Sequence, residues 1–93
     1  MNTYIILRRS GWSAPQELQE AAARSEATGE DMAGEIRWIR SYVMDEDNGA
    51  LGTVCVYQAT DPEAIRRHAE IALLPVDEII AVMDTVVKRP DPQ

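Results

Sequence analysis

The sequence predicts an α+β domain with the element order β-α-β-β-α-β. Two runs that alternate with period two, residues 35–44 and 53–59, flank an Asn48-Gly49 turn signal, which reads as a hairpin. Thr60-Asp61-Pro62-Glu63 then opens a helix that Pro75 must close. A further strand-then-helix pair precedes the hairpin, and a last strand follows the second helix. Ninety-three residues hold one core and no more.

Taken in order, Tyr4-Ile5-Ile6-Leu7 is a short β-type run, ended by two arginines and Gly11. Ser13 stands three residues before Gln16, the spacing of a capping box, and Pro15 is tolerated in a first helical turn. Leu18, Ala22, Ser25 and Met32 share one stripe at helical spacing. Gly29 leaves two ends open for this helix, near Thr28 or near Ala33. The strand over 35–44 separates Trp38, Arg40 and Tyr42 from Ile39 and Val43. The returning strand separates Val54 and Val56 from Cys55 and Tyr57, and the face of Ile39, Val43, Val54 and Val56 suits packing under the two helices. Asp61 caps the second helix, whose buried stripe is Ile65, Ala69 and Ala72. Residues 78–87 read as the last strand, so the single domain spans 1–87, with 88–93 a flexible tail. The order is that of the ferredoxin-like split βαβ pattern, a four-stranded antiparallel sheet with two helices on one face.

Composition removes several function classes. Sixteen acidic against nine basic residues give a net charge of −7, which repels a phosphate backbone and anionic membranes. Cys55 is the only cysteine, so no disulfide forms within the chain. No apolar run approaches the roughly 20 residues that span a bilayer, and no secretory h-region follows Met1. These features predict a cytoplasmic protein. The acidic turn Asp45-Glu46-Asp47-Asn48-Gly49 lacks the Glu that would complete a calcium loop, since Val56 stands there.

The stretch Ile36-Arg37-Trp38-Ile39-Arg40-Ser41-Tyr42-Val43, then Val54-Cys55-Val56-Tyr57-Gln58-Ala59, then Arg66-Arg67-His68-Ala69, with Pro75 and Ile79, resembles a small bacterial nickel-binding, ferredoxin-like family. The resemblance runs from Tyr4 to about Val82. It implies a dimeric α/β barrel and, for some relatives, nickel or another divalent transition metal, with His68 and Cys55 as ligands by position. Arg40 stands where many relatives carry a histidine.

The residues themselves leave three functions open. His68 and Cys55 are the only side chains of their kinds, and nitrogen/sulfur sites draw on three or four donors. A metal would therefore need a dimer, a carboxylate or a water to complete its shell. Alternatively, a face carrying Trp38, Arg40, Tyr42 and Tyr57 suits an aromatic or acidic ligand. It would serve a cofactor-independent isomerase, cyclase or monooxygenase, with His68 and Tyr57 as catalytic groups. The third reading is an accessory protein without chemistry. A sheet covered by helices on one side must bury its other face or leave it wet. A homodimer through the Trp38, Tyr42 and Tyr57 side follows, with Arg40 paired either to a ligand or to the partner's acidic turn.

Overall fold

The structure, a computed structural model, describes residues 1–90. Its elements are β1 (Asn2–Trp12), α1 (Pro15–Asp31), β2 (Ile36–Asp45), β3 (Leu51–Ala59), α2 (Pro62–Ala72) and β4 (Glu78–Ala81). The four strands form one antiparallel sheet in the order β2-β3-β1-β4, so the predicted βαββαβ, ferredoxin-like fold is the observed one. Both helices lie against one face. The core between them and the sheet centres on Tyr4, Ile6, Ile36, Tyr57, Ala59 and Ile65.

The hairpin turn is a short 3-10 segment, Asp47–Gly49, with positive φ at Asn48 and Gly49, where Asn and Gly carry little strain. Asp61 caps α2 through Ala64 N–H, and Leu73 closes it in the left-handed region two residues before Pro75. Helix α1 runs through Gly29 to Asp31. Its N-cap is Ala14, one residue later than the capping-box reading. Glu17 reaches back past it to the Ser13 N–H and hydroxyl, both at 2.9 Å.

Three strand expectations need correction. Strand β1 does not end at Leu7. It continues through Arg8, Arg9 and Ser10 in a bulge where the register jumps from Arg8↔Thr53 to Trp12↔Leu51. The Glu46 carboxylate fills that bulge, accepting from Arg9 Nε at 2.6 Å and from Ser10. Strand β4 stops at Ala81 rather than residue 87. Its antiparallel partner runs out, because Ala81 already lies opposite Tyr4 and Val82 N–H takes the Thr3 carbonyl. Residues 88–90 carry no helix or strand, and 91–93 of the expected tail lie outside the described residues.

The third correction decides the site. On β3 the residues turned toward the helices are Thr53, Cys55, Tyr57 and Ala59, all buried, while Val54 and Val56 face the other way. The expectation that Val54 and Val56 pack under the helices is inverted. On β2 a bulge at Ile39 shifts the register between Trp38↔Tyr57 and Arg40↔Val56. An extra residue in one strand breaks strict alternation. Trp38 therefore lies on the helix side, whereas Arg40 and Tyr42 lie on the open side with Val54 and Val56.

Candidate functional site

Alternation along β1 turns Tyr4, Ile6 and Arg8 toward the helices, and the last of these is a buried cation. Arg8 is 2% exposed. Its Nη1 donates to the Pro75 carbonyl at 2.7 Å, while Nη2 is buried with no hydrogen-bond partner among the described residues. The guanidinium carbon stands 6.0 Å from the centre of the Tyr57 ring, a cation–π distance.

Tyr57 is the hub of the polar network. Its hydroxyl shares a 3.0 Å hydrogen bond with Ser25 Oγ of α1. Burial pushes its pKa up, against the opposing Ser25 hydrogen bond and Arg8 charge, so the phenol keeps its proton at neutral pH. Trp38 lies parallel to Tyr57, with ring centres 6.2 Å apart. Its indole N–H donates to Ser41 Oγ at 2.8 Å, Ser41 Oγ approaches Cys55 Sγ at 3.0 Å, and Cys55 approaches Thr53 Oγ1 at 3.3 Å. The thiol is thus a buried member of a hydrogen-bonded row.

His68, on α2, is edge-on to Tyr57 at 5.5 Å and almost wholly buried. Its Nε2 lies 2.9 Å from the Ser25 carbonyl. A carbonyl only accepts, so the proton sits on Nε2 and Nδ1 is left a buried acceptor with no partner among the described residues. Burial, opposed by the Ser25 bond and aided by the Arg8 charge, lowers the His68 pKa, and the ring is neutral at pH 7.

Between α1 and the helix side of the sheet lies a cavity of about 100 Å³. Trp12, Leu18, Ala22, Trp38 and Val43 give it apolar walls, and Arg8 and Tyr57 reach it from the sheet. His68 is not among its lining residues.

The residues expected to form one site are therefore divided. Trp38, Cys55, Tyr57 and His68 share the helix side. Arg40 and Tyr42 occupy the opposite face, where Arg40 Nη1 comes within 3.5 Å of the Tyr42 hydroxyl. A pocket of Trp38, Arg40, Tyr42 and Tyr57 together is ruled out by the sheet between them. A general base at His68 has no surface from which to meet a substrate. Arg8 and Trp12 were missed because β1 was ended too early; an Arg in phase with Tyr4 and Ile6 was the available signal.

The donors do not suit a divalent metal within one subunit. His68 Nε2 is committed to a carbonyl and its Nδ1 is sealed in. Cys55 is satisfied by two hydroxyls, and the Arg8 charge already acts on His68. Among the described residues no three of His, Cys, Asp and Glu are grouped to hold an ion.

The model of the family described as "Nickel responsive protein SCO4226-like" matches residues 4–82. The chain belongs to the SCO4226-like family. The crystal structure of SCO4226 from Streptomyces coelicolor A3(2) superposes with a TM-score of 0.71 at 19% identity, covering 90% of this chain and 99% of that one. At that identity the likeness speaks for the fold. No curated protein sequence matches the chain. The SCO4226-like family is named for a response to nickel, which does not by itself require that each member coordinate the ion. No helix among the described residues is long and apolar enough to cross a membrane.

Proposed function

We propose that this member of the nickel-responsive family is a binding protein that works as a homodimer, joined through the sheet face that the helices leave bare. The observation that supports this is the chemistry of that face. Ile5, Leu7, Val54, Val56 and Ile80 lie there in neighbouring register on three strands, with Tyr42 beside them on a fourth. Water against a contiguous aliphatic sheet face is unfavourable, and a second copy removes it from both chains at once. Beyond β4, Met83, Val86 and Val87 add further exposed apolar surface.

The expected dimer survives in this reading, but its face changes. Trp38 and Tyr57 are under the helices, so Tyr42 alone of the three anticipated aromatics meets the partner. A role in a nickel response is then carried by the assembly or by what it binds, not by a metal centre built inside one subunit from His68 and Cys55. Light scattering at micromolar concentration tests the reading: a mass about twice the 10.4 kDa of the chain is expected. A clean monomer across the micromolar range sinks it.

A further inference from the structure

We infer that the cavity beneath α1 is a binding site for a small monocarboxylate with a short aliphatic tail, held at its charged end by Arg8. It stands on the face of the sheet opposite the proposed dimer seam, so each idea can fail without the other.

The first argument is an unbalanced charge. Arg8 is 2% exposed, no carboxylate pairs with it among the described residues, and its Nη2 is buried without an acceptor. An unpaired cation in a dry site is costly, and native chains seldom keep one unless an anion comes to meet it. The charge cannot be shed, because a guanidinium does not deprotonate in proteins. Nη1 already serves the Pro75 carbonyl, and Nη2 carries two N–H donors with no acceptor among the described residues. That suits one carboxylate, and it leaves a dianion such as phosphate short of partners.

The second argument is the wall. Apart from Arg8, Tyr57 and a few hydroxyls, the lining is Trp12, Leu18, Ala21, Ala22, Trp38 and Val43. A carboxylate oxygen can take Arg8 Nη2, while the Tyr57 hydroxyl is able to donate to the other oxygen when Ser25 donates to Tyr57. The remainder of the ligand then meets only carbon. The cavity holds about 100 Å³ and part of its wall, Val43, is exposed to solvent, so it covers a tail of a few carbons rather than a long chain.

Both tryptophans of the chain line the cavity, so intrinsic fluorescence reports on its contents. Titration with pentanoate, with neutral pentanamide and with inorganic phosphate distinguishes the terms. Pentanoate should bind saturably and about tenfold or more tighter than either control, the margin of a charge-assisted hydrogen bond over a neutral one. Arg8→Met, checked for folding by circular dichroism, should bring pentanoate down to the level of pentanamide. Should that variant not fold, Ala22→Leu decides, because it fills the cavity and leaves Arg8 in place. Pentanoate binding should be lost in it. Equal affinity for the amide, phosphate as tight as pentanoate, undiminished binding in Ala22→Leu, or no saturable change in the wild type would each overturn the assignment.

Discussion

At the scale of the single residue, burial governs what each functional group can do. His68 shows this in its proton balance. Its pKa is lowered in the folded chain, chiefly by burial, so the unfolded chain takes up the proton more readily. The stability tied to a neutral His68 is complete above the unfolded value of about 6.5 and drains away as pH falls from there toward the folded pKa. Denaturant titrations should therefore show stability falling between pH 7 and 5, by up to about 1.4 kcal/mol per pH unit for one proton. His68→Gln, which keeps a donor for Ser25, should flatten that slope. Glu17, held low by the Ser13 N–H and hydroxyl, and Glu46, held low by Arg9 and Ser10, titrate below about 4.5 and act in a separate, more acid window. An unchanged slope in His68→Gln would show that another group is responsible. Sequence alone marked His68, Cys55 and Tyr57 as special. It did not reveal that the Ser25 carbonyl holds one histidine nitrogen or that the Ser41 hydroxyl meets the thiol, because both partners come from other elements of the chain.

Elements carried most of what the sequence could tell. The turn at Asn48-Gly49, the Asp61-Pro62 start and the Pro75 stop are local chemistry, and each stands where the residues put it. The two bulges were not legible, since nothing in a strand marks which residue the ladder will skip. Nothing in the sequence sets Glu46, which fills the bulge in β1, apart from Asp45 and Asp47 beside it. Gly52 shows how closely the chain approaches there: a Cβ would lie 2.7 Å from the Arg8 carbonyl and would strike the Glu46 carboxylate. The bulge in β2 has a consequence that can be tested. Trp38 and Arg40 lie opposite consecutive residues of β3, with Ile39 the surplus residue and 43% exposed. Deleting Ile39 should leave both halves of β2 in their present register and cost less than about 2 kcal/mol. Deleting Val54 from β3 should unfold the chain, because a one-residue slip in a central strand exchanges its buried and open faces. Melting curves of the two deletions check this, and similar losses in both would contradict the assigned bulge.

For the whole molecule, the question is what covers the second face of the sheet. A 93-residue domain buries a modest share of its surface, and here one aliphatic layer has no helix above it. Joining two copies offers the missing burial, and it links folding to concentration. The melting temperature of the wild type should rise with protein concentration, as it does when dissociation accompanies unfolding. Charge sets the salt response. Each chain carries −7, so two copies repel, and an apolar seam between them should tighten as added salt screens that repulsion. A dimer held mainly by ion pairs, such as Arg40 with the partner's acidic turn, would loosen instead. Val56→Asp places a carboxylate at the centre of the open face, opposite Ile5 on one side and Arg40 on the other. It should give a folded monomer whose melting temperature is lower than that of the wild type and independent of concentration. Because the Arg8 cavity is on the other side of the sheet, the same monomer should still show the pentanoate response. A Val56→Asp protein that stays dimeric would move the contact elsewhere, to the exposed Met83, Val86 and Val87 as the remaining apolar surface.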